Sequence, residues 1–158
     1  MLLVRIGRKG RWVGSDSSAD TAVKDLSLRP GEAGLSVYKI ESLNEAVNIA
    51  KIHAPTARNK VDKIDFILFE ESIIAEVEGL ELRQSDSSLH PELSSVHHEI
   101  YGLNSSRARL LAEAILGGSF DVNRISEADL VESVKTRIKV DEKFKDYIHQ
   151  DWRLRATQ

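Results

Sequence analysis

The sequence predicts an α+β fold: a β-rich first half carrying a βαβ-type unit around a central strand at 64–69, packed with a helical second half. Three observations lead there. Ile64-Asp65-Phe66-Ile67-Leu68-Phe69 is almost continuously apolar and rich in β-branched and aromatic residues, which is how a strand buried on both faces reads. Strand-like and helix-like segments alternate between 35 and 84, and such alternation favours a sheet with parallel pairing. Beyond residue 105 the apolar residues recur at helical spacing instead. A chain of 158 residues is expected to form one domain, with 1–84 as its sheet part and 85–158 as its helical part.

Taken in order, Leu2 to Ile6 is rich in strand formers, and Gly7-Arg8-Lys9-Gly10 offers a turn into Arg11-Trp12-Val13, so a hairpin is predicted. Residues 14–24 are small and polar and read as a loop. Pro30-Gly31 marks a turn into a strand at 35–40. Ser42-Leu43-Asn44-Glu45 is a capping box that opens a helix, and Pro55 is expected to stop it. After the buried strand, a short helix over 71–78 buries Ile73, Ile74 and Val77, and Gly79 precedes a strand at 80–83. A polar loop over 85–95 follows. Ala108, Leu111, Ala112 and Ile115 predict a helix over 107–116 closed by Gly117-Gly118. Ser126 and Asp129 start another over 127–138, and a stripe of Phe144, Tyr147, Ile148 and Trp152 follows. Neither Gly nor Pro separates these last two, so 127–153 reads equally as one helix or two.

Composition narrows the function. There is no cysteine, which excludes disulfides, thiolate metal sites and cysteine nucleophiles and fits a reducing compartment. No apolar run is long enough for a signal peptide or a membrane span, and a cytoplasmic location without membrane association is expected. The net charge of −3 hides a polarity: the first fourteen residues hold Arg5, Arg8, Lys9 and Arg11 without an acid, the middle is acidic, and the last stretch is again basic. The glycine-rich phosphate loops and the G-x-S-x-G nucleophile motif are absent from the sequence.

His97-His98-Glu99 draws the eye as a metal or acid–base site. Adjacent histidines diverge by about 100° on a helix and about 180° on a strand, so both cannot face one ion. As a strand, 96–101 places His97 and Glu99 on one face and His98 with Val96 and Ile100 on the other; as a helix it separates His97 from Glu99. Both readings stand. A third ligand is needed from elsewhere, with His90, Glu70 and Glu71 as candidates, so the motif is incomplete and no metal or other cofactor is expected. Glu70 and Glu71 also suit the first turn of a helix, where the dipole favours acids.

Arg5, Arg8, Lys9, Arg11 and Trp12 form a basic segment with one aromatic, a pattern used on phosphate backbones and unstacked bases. Trp152 with Arg153, Arg155 and Lys143 forms an aromatic and basic patch suited to a protein partner, with Trp152 expected near the surface. With no complete catalytic constellation, the leading expectation is a non-catalytic accessory or regulatory protein that binds another protein. The alternatives are a small metal-assisted hydrolase using His97 and Glu99, and a weak nucleic-acid-binding module using the N-terminal segment. A continuous basic face joining Arg8 to the C-terminal helix would favour the last.

Overall fold

The computed structural model describes residues 1–87 and 89–158. The first strand, β1, spans Leu2–Gly7. The predicted hairpin does not form: the chain instead turns through a 3-10 helix at Lys9–Arg11, because the amides of Arg8 and Lys9 are taken by the carboxylates of Asp25 and Asp65 rather than by a partner strand. Within the expected loop, Ser18 starts the short helix α1, Ala19–Ala22, which runs into a 3-10 turn at Val23–Asp25. Strand β2 is Gly34–Ile40.

Helix α2, Leu43–Ala57, begins where the capping box places it, with Ser42 Oγ accepting the Glu45 amide at 3.3 Å. The Glu45 carboxylate reaches one residue further back, to the Glu41 amide at 2.9 Å. Pro55 does not stop this helix. So near the C-terminus its ring removes a single intrahelical bond. The Thr56 hydroxyl donates to the Ile52 carbonyl at 2.7 Å, and the Pro55 carbonyl accepts the His149 amide at 3.0 Å.

Strand β3, Ile64–Glu70, is buried at every position but the last. The helix expected after it is a 3-10 helix, Glu71–Glu76, which with Val77 buries the apolar residues named for it. Then come β4, Glu81–Gln84; α3, Pro91–Ser94; β5, His97–Tyr101; and α4, Ser105–Gly117. The second half contributes one strand that periodicity had not marked, β6 at Phe120–Ile125. Helix α5, Glu127–Val140, ends at Asp141, whose carboxylate accepts the Lys143 amide at 3.1 Å. A 3-10 turn at Glu142–Asp146 separates it from α6, Gln150–Ala156, so 127–153 holds two helices.

The six strands form one sheet in the order β4-β5-β2-β1-β3-β6, and every neighbouring pair is antiparallel. The expected parallel pairing is therefore corrected. Strands β2 and β3 do run in the same direction across α2, but β1 lies between them and pairs with both. The crossover survives; the parallel ladder does not.

Helices cover both faces, which explains why β3 reads as continuously apolar. Val4, Tyr38, Phe66 and Leu68 pack on one face with α2, α5 and the C-terminal segment; Leu3, Val37, Ile67 and Phe69 pack on the other with α4 and the Val23–Asp25 turn. Trp152 belongs to the first of these cores. It is 0% exposed, and its indole N–H donates to the Arg58 carbonyl at 2.9 Å, so its expected place at the surface is corrected. Among the described residues, no helix is long and apolar enough to cross a membrane.

Candidate functional site

The strand reading of 97–101 is the observed one. His97 and Glu99 stand opposite Tyr38 and Ser36 of β2, and His98 stands opposite Val37 on the other face. His97 is 6% exposed and both ring nitrogens are occupied: Nδ1 lies 3.0 Å from the Ser85 carbonyl and Nε2 lies 3.1 Å from Ser36 Oγ. A carbonyl only accepts, so Nδ1 carries the proton and Nε2 accepts from the Ser36 hydroxyl. Glu99 accepts the Tyr101 hydroxyl at 2.6 Å. His90 caps α3, its Nδ1 accepting the Glu92 amide at 3.1 Å, and it packs against Phe144 and Tyr147. Glu70 is exposed at the end of β3, and Glu71 pairs with Lys39 at 2.9 Å. Each proposed ligand thus has its own structural partner or stands apart, and among the described residues no three His, Cys, Asp or Glu side chains gather as a metal site.

His97 instead joins a polar seam inside the sheet–helix interface. The Tyr38 hydroxyl lies 2.8 Å from His53 Nδ1, and the Tyr38 ring meets both His53 and His97 edge-on with centroids 5.7 Å apart. Burial pushes His53 down to about 4, helped by the nearby Arg5 and Arg58 cations and His97. Burial pushes the Tyr38 phenol up to about 12 against the opposing pull of Arg5. A neutral imidazole accepting from a neutral phenol is the arrangement that satisfies both groups. With the phenol and the imidazole satisfying each other, this seam reads as structural.

The charged residues converge elsewhere. An open depression of about 700 Å³ lies where the N-terminal loop, the α2–β3 connection and the end of β6 meet. The loop supplies Arg8, Lys9 and Arg11; the connection supplies Arg58, Lys60 and Lys63; β6 supplies Arg124. Only Asp62 and Asp65 oppose them in the lining. Antiparallel pairing makes this meeting possible: Gly7 at the end of β1 is opposite Asp65 at the start of β3, and Asp65 is opposite Arg124 on β6.

Two buried carboxylates hold the N-terminal loop against this depression, Asp65 within its lining and Asp25 outside it. Asp65, 8% exposed, receives Arg124 through two hydrogen bonds of 2.7 and 3.0 Å and the Lys9 amide at 2.9 Å. Burial alone would raise this carboxyl; the Arg124 and Lys9 bonds outweigh it and hold the group below the usual range. Asp25, 5% exposed, receives the Arg8 amide at 3.0 Å, Arg11 Nη1 at 2.5 Å and the Trp12 indole N–H at 2.7 Å. Arg11 and Arg124 are therefore neutralised in place. Arg8 and Lys9 are exposed, and their side chains make no ion pair among the described residues. Arg58 donates from Nη2 to the Asp62 and Lys63 carbonyls, and its Nε finds no acceptor among the described residues.

A surface of mixed charge continues beyond this depression. Lys60 also lines a shallower one of about 380 Å³ with Leu154 and Arg155 of α6. Asn59 ties the two together, donating to Asp151 at 2.8 Å and accepting the Asp151 amide at 3.0 Å. A charged face thus links Arg8 to the C-terminal helix through Lys60. Of the residues suggested for a protein partner, Arg153 and Lys143 are exposed and Arg155 pairs with Glu127 at 3.0 Å.

Of the residues suggested for nucleic acid, two are corrected. Arg5 points inward, with Nε on the Asp25 carbonyl at 2.8 Å and Nη1 on the Ser36 carbonyl at 3.0 Å. Trp12 is 2% exposed and packs near Phe120, so it offers no stacking surface. In their place the fold brings up Arg58, Lys60, Lys63 and Arg124. A local signal existed in Arg58-Asn59-Lys60-Val61-Asp62-Lys63, a basic connection entering the buried strand, but its proximity to residue 8 is a property of the sheet. No family model, curated protein or solved structure matches the chain.

Proposed function

We propose that this chain is a non-catalytic binding protein whose ligand is the phosphate backbone of a nucleic acid, held along the groove between the N-terminal loop and the α2–β3 connection. The observation that carries this reading is the convergence of seven basic side chains from three separate segments on one depression that holds two acids, in a protein of net charge −3. Outside this lining acids outnumber basic residues, so the depression is where the chain concentrates attraction for a polyanion. Guanidinium and ammonium groups side by side suit phosphate oxygens. The leading expectation from the sequence, a protein that binds another protein, loses its aromatic anchor with Trp152 in the core. A cysteine-free composition supports a reducing, cytoplasmic setting.

Contacts to four or five phosphates give a log–log salt slope of about −4 on duplex DNA and a dissociation constant of roughly 10⁻⁴–10⁻⁶ M at physiological salt. Fluorescence anisotropy with a labelled random-sequence duplex, titrated across salt, measures both. Binding with that slope that is lost in Arg8→Glu/Lys63→Glu supports the reading. No binding at low salt, or binding indifferent to the double substitution, overturns it.

A further inference from the structure

We infer that Asp25 is a positioning residue of this groove: an acid that strengthens anion binding by aiming the cations of the N-terminal loop. The inference rests on the nucleic-acid reading above and reaches past it, because Asp25 is not among the residues lining the depression.

Three donors from three successive parts of the loop end on this one carboxylate: the backbone of Arg8, the guanidinium of Arg11 and the indole of Trp12. The next amide, that of Lys9, is taken by Asp65. Two consecutive peptide groups are therefore pinned to two different buried acids, and the Arg8 and Lys9 side chains they carry are exposed. The chain also runs close over Asp25. A Cβ on Gly7 would sit 2.5 Å from Asp25 Oδ2 and 2.6 Å from Ile67 Cδ1, so only glycine lets β1 end against the carboxylate. Asp25 is itself held from behind, through its carbonyl, by Arg5.

Charge alone predicts the opposite sign. Removing an acid near a basic groove should tighten anion binding, and that is the expectation for Asp62→Asn, since Asp62 lies in the lining beside Lys60 at 3.5 Å and Lys63 at 3.9 Å. Asp25→Asn keeps the size but presents an amide N–H₂ to a set of donors, so one loop contact must break.

Both variants are compared with the unmodified chain by anisotropy on the random-sequence duplex, with the melting temperature recorded for each. Asp62→Asn should bind more tightly. Asp25→Asn should bind roughly tenfold more weakly, with a salt slope shallower by about 1 for each cation set loose. Tighter binding by Asp25→Asn with an unchanged slope overturns the positioning role and leaves the groove assignment standing. If Asp25→Asn does not fold, Trp12→Phe decides: it removes one donor and no charge, and should weaken binding and flatten the slope, whereas unaltered binding overturns the inference. Absence of binding by the unmodified chain removes the groove assignment, and this inference with it.

Discussion

The Trp12 indole N–H donates to Asp25 Oδ2 at 2.7 Å, thirteen residues away, and both side chains are buried. A tryptophan that looks in sequence like a platform for bases is, in the fold, a donor to a carboxylate. Trp12→Phe keeps most of the apolar packing but leaves the buried carboxylate one donor short. An unfolding free energy lower by about 1–3 kcal/mol is expected in urea titrations. A change within about 0.5 kcal/mol would mean that this bond contributes little.

Trp152→Ala removes the largest side chain of the α6 contact and strands the Arg58 carbonyl. A loss of roughly 3–5 kcal/mol is expected, read as a large fall in the denaturant midpoint. A midpoint close to that of the unmodified chain would mean α6 is dispensable to the core.

Stability should fall as the solution is acidified from about pH 6.5 to 4. His53 titrates near 4 in the fold and near its ordinary 6.5 when unfolded, so the unfolded chain binds the extra proton in this window and gains relative to the native state. The full effect is up to about 3 kcal/mol. His90 is held down in the same direction, chiefly by burial, and adds to the slope. His53→Gln, which still offers an acceptor to Tyr38, should flatten the dependence of the melting temperature on pH across this window. An identical slope in the variant would assign the effect elsewhere. Asp65 acts lower: its carboxyl is held below the usual range, so its contribution is present above about pH 4 and fades as the acid form fills in the folded state.

Dialysis against a chelator should leave the melting temperature unchanged, because His97 is held by Ser85 and Ser36. His97→Ala should nonetheless cost about 1–3 kcal/mol by stranding the Ser85 carbonyl. A fall in melting temperature on chelation would return the metal reading to contention.

Local chemistry was readable where one segment decides its own structure. The Ser42 cap, the helical spacing of Ala108, Leu111 and Ala112, and the apolar run at 64–69 all lie where they were placed. Direction and partnership were not readable, because they depend on which strand fills the gap between β2 and β3. Strand β6 carried a faint signal, Phe120 and Val122 alternating with Asp121 and Asn123, but only Ile125 of this edge strand is buried, so its apolar face is weakly marked. The groove was half legible. Arg8, Lys9 and Arg11 stood out as a cluster, whereas Arg58, Lys63 and Arg124 join them only through the β1–β3–β6 ladder. Trp12 and Trp152 misled for one reason: an aromatic beside arginines looks exposed until its N–H is found to have a buried acceptor.

The insertion of β1 between β2 and β3 bears on how the chain reaches its shape during synthesis. Of the six strands, the earliest in chain order is a middle strand of the sheet, and one of its edges has no partner until residues 64–70 have been made. Its contacts span long loops, which slows their formation. In the interval, Leu3 and Val4, destined for opposite cores, lie open beside an unpaired backbone, the exposure that invites association between nascent chains. The nearby Arg5, Arg8 and Lys9 give that segment a charge that keeps like copies apart. Arg8 and Lys9, which face the groove in the finished protein, would earlier guard its most vulnerable strand.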